Sequence, residues 1–398
     1  MKLASITLAL LAPIAFAQPD YTVQTIPVPG GTYAQAWGVN IHAVVVGEYE
    51  NPGTLPFRWD AVNGSITLPQ LPGHTGGGAY SINEQGQIAG WAWDGAKRQA
   101  VIWNDPTLPP APLGWSGSTG AAATALNDLG AVVGDDGAGH AYRYVPGAGL
   151  TPLAPLPGLF FANALAINNF GEVAGVSFSD FFGGAPIEPA PTTIWSTTGA
   201  RSCPPCTAAD PNLCETRPRP GQGCVLSFGA TINDNGVLCM STGAGLAIEA
   251  DGTVILQAGV AAAGASSSGT IAIAAVSSQS GAPIRAFVAK NGALTELPTA
   301  GLDTTYPHAI SANGILAGQG AHTGGPKNST ALVWLPSSFT CPGDVNGDER
   351  VDLSDIGILL SHYGDGGALY SQGDLTGDGT VDLSDLGLML AQYGATCP

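Results

Sequence analysis

Apolar residues along this chain fall in short runs, each closed by Gly, Pro, Asn or Asp, and inside the runs apolar positions tend to alternate with polar or small ones. That rhythm predicts short strands joined by tight turns. One unit recurs: a small residue, an apolar residue, Asn, two variable positions, Gly, and a strand-like triplet ending in Gly. It reads GVNIHAVVVG at 38–47, SINEQGQIAG at 81–90, ALNDLGAVVG at 125–134 and AINNFGEVAG at 166–175. Weaker copies follow as TINDNGVLCM at 231–240, ASSSGTIAIA at 265–274 and AISANGILAG at 309–318. Asn40, Asn83, Asn127, Asn168 and Asn233 hold the Asn position, which passes to Ser266 and Ser311, at spacings of 43, 44, 41, 65, 33 and 45 residues. The mean is close to 45, the length of a four-stranded propeller blade.

A second strand with an aromatic or apolar end follows each copy: PFRW, AVIW, AYRY, TTIW, LAIE, AFVA and ALVW. Leu- and Pro-rich strands such as ITLPQLPG (66–73) and LTPLAPLPG (150–158) lie between copies. Seven copies predict a mainly β chain in which residues 18–336 form a seven-bladed β-propeller, with YTVQTIPVP (21–29) completing the sheet of the last blade. A closed ring leaves only short, protected strand edges. An open or irregular β-sandwich is the alternative. The repeated Asn and Gly are read first as hairpin-turn residues that tolerate positive φ, and only second as ligands. The repeats resemble those of the HAF-type extracellular repeat proteins, which carry A-x-x-I-N-x-x-G-x-V-V-G followed by h-A-F-x-W. The resemblance covers roughly residues 21–335, is clear in the first four copies and poor in the fifth and sixth, and implies a propeller-like fold.

After a short linker at 337–340 the pattern changes. LSDIGILLSHYG (353–364) and LSDLGLMLAQYG (383–394) space branched residues three and four apart, which predicts two short helices. Before each lies an acidic loop, DVNGDERVDLSD (344–355) and DLTGDGTVDLSD (374–385). Asp344, Asn346, Asp348, Asp352 and Asp355 stand at places 1, 3, 5, 9 and 12, with the carbonyl of Arg350 at 7. Asp374, Thr376, Asp378, Asp382 and Asp385 repeat the places, with the carbonyl of Thr380 at 7. Hard oxygen donors at this spacing match an EF-hand-type calcium loop, so two Ca²⁺ are expected. Loop one has Glu349 where loop two has the turn-forming Gly379, and loop two has Thr376 in place of a stronger ligand.

Residues 341–398, with Asp rather than Glu at place 12, one helix after each loop and the whole duplicated, are similar to a type I dockerin. The resemblance implies a cohesin-like partner and a role in choosing it for loop places 10 and 11: Leu353 and Ser354, Leu383 and Ser384. A Leu at place 10 fits simple packing equally well. Cys341 and Cys397 stand at the two ends of this segment, where a disulfide would clasp it and contribute on the order of 3–4 kcal/mol. Ten acidic residues against Arg350 make the metal-free segment self-repelling.

Composition narrows the setting. The 398-residue chain carries 12 Lys and Arg against 30 Asp and Glu, a net charge of −18, which disfavours nucleic acid and anionic membrane surfaces as partners and favours divalent cations. MKLASITLALLAPIAFA has one Lys, an apolar run and an Ala-Phe-Ala end, the form of a secretory signal peptide, so residues 1–17 are expected to be removed on export. The run is too short to span a bilayer. Seven cysteines in an exported chain point to disulfides. Cys203, Cys206, Cys214 and Cys224 cluster in an insertion at about 196–228, where two disulfides are favoured over a zinc site, and Cys239 is expected as a buried thiol.

Nothing marks an enzyme outright. His42, His74, His140, His308, His322 and His362 form no ligand pair, no nucleophile elbow, P-loop or dinucleotide fingerprint is present, and GDDG (134–137) reads as a polar turn. The expected function is an extracellular, non-catalytic binding or scaffold propeller for a polysaccharide or protein, attached through the calcium module. The alternative is a propeller glycoside hydrolase or polysaccharide lyase of a dockerin-borne degrading system. It needs a carboxylate pair at a channel mouth lined by some of Trp37, Trp59, Trp91, Trp93, Trp103, Trp115, Trp195 and Trp334. A structural spacer without ligand is the third reading.

Overall fold

The computed structural model describes residues 21–31, 33–116, 120–179, 181–182, 185–186, 190–196, 199–202, 225–226, 229–232, 238–242, 245–250, 253–257, 261–265, 271–276, 283–290, 293–322, 329–336, 343–346, 350–366, 368, 372–376 and 380–395. The leader, the Cys203–Cys224 cluster, the linker, Asn233, Ser266, Asp348, Asp378, Cys341 and Cys397 lie outside them. Among the described residues six sheets of four strands and one of five follow one another along the chain, and every neighbouring pair in them is antiparallel. Blade 1 is Ala34–Val39, Val45–Glu50, Thr54–Asp60 and Gly64–Thr67. Blades 2 to 7 start at Gly76–Ile82, Ala121–Leu126, Phe161–Ile167, Gly229–Ile232, Ala261–Ala265 and Thr304–Ile310. The fifth strand is Val225–Leu226, beside Ala190–Ser196 of blade 4.

The ring is closed by the chain's own beginning. Tyr21–Thr25 supplies the fourth strand of blade 7, in register from Tyr21 opposite Pro336 to Thr25 opposite Leu332. Tyr21 Oη donates to the Gly314 carbonyl at 3.1 Å. Blade 1 then packs on blade 7 through one core of Ala36, Val45 and Phe57 against Ile315, Ala331 and Val333. Blades 1 and 2, 2 and 3, 3 and 4, and 6 and 7 share cores of the same kind, and the first strands carry Ala36, Ala79, Ala123 and Ala164, fully buried.

The repeated Asn does more than turn the chain. Its φ is not positive; the Gly three places on is the left-handed residue, at Gly86, Gly130, Gly171 and Gly314, with Ala43 in that conformation in blade 1. The Asn is buried. Its Oδ1 accepts the amide four places on, as from Val44 to Asn40 (3.0 Å) and Gln87 to Asn83 (2.8 Å), closing the loop. Its Nδ2 donates to the next blade: Asn40 to the Asn83 carbonyl, Asn83 to Asn127 and Asn127 to Asn168, at 3.0–3.2 Å. In blade 7, where Ser311 is too short to reach, Asn313 donates to the Ile41 carbonyl at 2.9 Å and links that blade to blade 1. Asparagine is required because one amide serves as loop acceptor and inter-blade donor together.

The Gly that ends each unit has a different cause. The first strand of a blade skips one residue opposite it: Trp37, Tyr80, Thr124, Leu165 and His308 are the bulged residues in blades 1, 2, 3, 4 and 7. The bulge drives a backbone carbonyl against Gly47, Gly90, Gly134, Gly175 and Gly318, where a Cβ would meet the oxygen at 2.0–2.1 Å. The bulged side chains are all half-buried.

Most tryptophans are core. Trp59, Trp91, Trp103, Trp115, Trp195 and Trp334 are buried. The indole N–H of Trp103, Trp195 and Trp334 donates to Pro69, Ala154 and Pro298 at 2.6–2.8 Å, which fixes the Leu- and Pro-rich strand beside its blade. Cys239 lies in strand Leu238–Thr242, opposite Thr231 and Ile248.

The C-terminal segment holds two helices, α1 (Leu353–Ser361) and α2 (Leu383–Gln392), around a shared core of Val345, Val351, Leu359, Leu375, Val381 and Met389. Its halves are cross-braced. Val351 bonds to residues 394–395 past α2, and Val381 to residues 364–365 past α1.

Candidate metal centre

Each acidic loop enters its helix through a reciprocal cap that the spacing DLSD encodes. Asp352 is the N-cap of α1 and accepts the Ser354 amide at 2.8 Å, while Asp355 in the first turn accepts the Asp352 amide at 2.9 Å. Asp382 and Asp385 do the same for α2, at 2.7 and 2.8 Å. Carboxylates here face the positive end of the helix dipole and take up amides the helix leaves unpaired. These bonds, the Ser354 hydroxyl first, hold the exposed Asp352 carboxyl below the usual carboxylate range. The residues at places 9 and 12 therefore have a structural role that the ligand reading of the sequence did not assign.

The place-12 carboxylates also tie back to the start of their loops. Asp355 accepts the Val345 and Asn346 amides at 2.9 and 3.3 Å, and Asp385 accepts the Thr376 amide at 2.8 Å. Asp355 and Asp385 are fully buried, and Asp344 and Asp374 at place 1 are 4% and 3% exposed. Asn346 donates to the Ser354 hydroxyl at 3.0 Å, Thr376 reaches Asp374 at 3.4 Å, and Thr380 bridges to Gly366. Place 12 of each loop is thus bonded to the backbone of places 3 and 9, and in the second loop place 3 also reaches place 1. Arg350 is the single Lys or Arg after residue 340, against four shut-in carboxylates. Buried carboxylates need hydrogen bonds, protons or a cation. The side-chain and backbone oxygens of these loops are the donor chemistry of a hard divalent ion. Among the described residues no group of three or more His, Cys, Asp and Glu is arranged to hold a metal; Asp348 and Asp378, at place 5, fall outside them.

Packing does not account for the Leu at place 10. Leu353 and Leu383 are each 72% exposed, and further along Leu360 of α1 and Leu390 of α2 are exposed, with Tyr363 and Tyr393 exposed just past the helix ends. Leu353 and Leu360 are seven apart, as are Leu383 and Leu390, so each pair shares a helix face. The two helices carry the same apolar stripe.

The acidic pair in the propeller is not arranged for glycoside cleavage. Asp135 and Asp136 are successive residues of strand Val132–Asp136, so their side chains point to opposite faces. Asp136 accepts the Ala138 amide at 2.8 Å and pairs with His140 at 2.8 Å, a polar turn as the sequence implies. The Asp135 carboxyl is pushed up to about 6 by burial, against the Gly137 amide it accepts and with the charge of Asp136 adding to the rise. A carboxyl raised in the folded state favours its neutral form: its stabilising effect is complete below the unfolded value near ~4 and is lost as pH rises through about 6. Asp135→Asn is therefore expected to raise the melting temperature by a few degrees at pH 7.5, with the gap to the parent closing below about pH 4, as measured by thermal scans across that range.

Among the described residues no helix is long and apolar enough to cross a membrane. No protein-family model matches this sequence, and no curated protein does. Solved structures do. YCF48 bound to D1 peptide aligns over 81% of this chain and 98% of its own, with a TM-score of 0.51 at 13% identity. Virginiamycin B lyase from Staphylococcus aureus aligns over 79% and 99%, at 0.48 and 11%. The β-propeller domain of the Trilobed protease from Pyrococcus furiosus aligns over 76% and 95%, at 0.48 and 10%. At these identities the likeness concerns fold alone, and with the closed succession of sheets it makes this chain a β-propeller protein with a small helical segment at its end.

Proposed function

We propose that this is an exported binding propeller held in an extracellular complex by a calcium-dependent, dockerin-like C-terminal module. The resemblance of the blade repeats to those of HAF-type extracellular proteins supports the extracellular setting. Asp344, Asn346, Asp348, Asp352, Asp355 and the Arg350 carbonyl would hold one Ca²⁺. Asp374, Thr376, Asp378, Asp382, Asp385 and the Thr380 carbonyl would hold the second. Bound there, the ions would supply positive charge to the shut-in carboxylates, while the caps of Asp352 with Asp355 and Asp382 with Asp385 set the entry of each loop into its helix. Leu353, Ser354, Leu383 and Ser384 belong to the face offered to a cohesin-type partner.

The observation that carries this reading is the duplicated exposed stripe, Leu353 with Leu360 and Leu383 with Leu390, above two loops with the same buried carboxylates. Apolar side chains left out of a small core at equivalent places in both halves mark an interaction surface. Two equivalent faces make either sufficient. Immobilised full chain exposed to the secreted proteins of its own cells should retain a partner in calcium and release it to chelator. Leu353→Lys with Leu360→Lys should leave retention in place, and adding Leu383→Lys with Leu390→Lys should abolish it. Retention that ignores both the chelator and the fourfold substitution contradicts the reading.

A further inference from the structure

Each acidic loop caps the start of its own helix, yet its entrance and its eighth place are held by the other half of the C-terminal segment. Loop one is entered at Gly343, whose backbone lies against α2: a Cβ there would stand 3.5 Å from the Met389 Cα. Loop two is entered at Gly373, against α1, where a Cβ would meet the Leu359 Cα at 2.7 Å. Both glycines have positive φ, +108° and +103°. At place 8 the exchange recurs. The Val351 amide donates to the Ala395 carbonyl at 3.1 Å, and the Val351 carbonyl accepts the Gly394 amide at 2.9 Å, both just past α2. Val381 makes the same pair of bonds with Asp365 and Gly364, at 3.3 and 2.8 Å, just past α1. Val351 and Val381 are fully buried, so water does not compete for these bonds.

Place 8 matters because of the carbonyl that precedes it. A trans peptide unit is a rigid plate whose N–H and C=O point in opposite directions. The bond made by the Val351 amide therefore aims the Arg350 carbonyl, and that of the Val381 amide aims the Thr380 carbonyl. These are the backbone oxygens that the two loops offer to a cation at place 7. In both loops the group that fixes the plate belongs to the opposite half, and Thr380 is tied to that half once more by its bridge to Gly366. Ordering of loop one fixes the start of α1 through Asp352 and Asp355, and the far end of α1 supplies Gly364 and Asp365, which set the plate of loop two. The return path runs from Asp382 and Asp385 through α2 to Gly394, Ala395 and the plate of loop one. A second cation then meets a loop whose ordering has already been met in part, which makes the affinities interdependent. The exposed Leu pairs ride on the same two helices. We propose that the loops are wired crosswise, so that filling either one strengthens cation binding in the other and the two Leu faces are ordered and released together.

The inference rests on the calcium reading of the loops. Its test is Asp374→Ala in the full chain, which alters loop two at place 1 and leaves every group of loop one in place. Calcium is titrated by calorimetry, and amide hydrogen exchange is followed at one fixed calcium concentration. Loop one should still bind one equivalent, about tenfold more weakly than in the parent. The Asp352 amide, which Asp355 accepts inside the unaltered loop, should exchange about tenfold faster, while propeller amides keep the parent's rates. Equal helical circular dichroism of variant and parent in chelator is the folding control; should Asp374→Ala fall short, Asp378→Ala at place 5 of the same loop takes its place. Loss of both equivalents with that control met is the same result at greater strength. One equivalent bound at parental strength, with the Asp352 amide exchanging at the parental rate, overturns the crosswise wiring and leaves the calcium reading standing. A parent that binds no calcium, or a variant that still binds two equivalents as the parent does, contradicts the calcium reading itself and the wiring with it.

Discussion

Gly134→Ala is expected to lower the stability of the propeller by roughly 3–5 kcal/mol, a loss on the order of 10 °C in melting temperature, although it adds a single methyl group. The added Cβ would stand 2.0 Å from the Ala122 carbonyl oxygen and 3.1 Å from the Ala123 Cα, and both are backbone. No rotamer relieves such a contact. The bulge at Thr124 would have to flatten, and Thr124 would be withdrawn from the Ala164 carbonyl of blade 4, to which it donates at 2.8 Å. The same substitution at Gly90, Gly175 or Gly318 should behave alike, since each faces a carbonyl at 2.0–2.1 Å. Gly53→Ala, in a hairpin with nothing within 4 Å, should be neutral within about 0.5 kcal/mol. Thermal scans of the two variants check the contrast; equal effects would mean that the terminal Gly of the repeat answers to chain flexibility and not to the bulge.

Asp355→Ala carries the second large effect, confined to the C-terminal segment. Asp355 is fully buried and receives three backbone amides, from Val345, Asn346 and Asp352. Truncation removes half of the helix cap and leaves buried donors without acceptors, for about 3 kcal/mol before any ion is considered. Hydrogen exchange at the Val345 and Asp352 amides should accelerate by about two orders of magnitude, with propeller amides unchanged. Asp355→Asn, which keeps an acceptor oxygen, should recover much of the loss in chelator but not in calcium. That split separates the carboxylate's work as a cap from its proposed work as a ligand.

Much of this architecture was legible because a blade is a local object. The Asn-x-x-Gly hairpins, the seven units and the return of Tyr21–Thr25 to the last blade follow from periodicity and spacing alone. Less visible was why each consensus residue is there. Asn40 looks like a turn residue; its second bond, to Asn83, spans 43 positions and exists because one blade step equals one repeat. The terminal Gly looks like a strand end; its cause is a skipped residue on the paired strand, which two-residue alternation cannot reveal. At the C-terminus the sequence did carry the missed signal, since Asp-x-x-Asp ahead of an apolar run is a capping signature. The same carboxylates read as ligands by spacing and as caps by geometry.

Calorimetric titration of calcium into the full, chelator-stripped chain, with helical circular dichroism followed in parallel, tests the central claim most directly. Two equivalents bound per chain are expected, with a gain of helical signal reversed by chelator and loss of one equivalent in Asp344→Ala. No heat and no helical change up to millimolar calcium would contradict it.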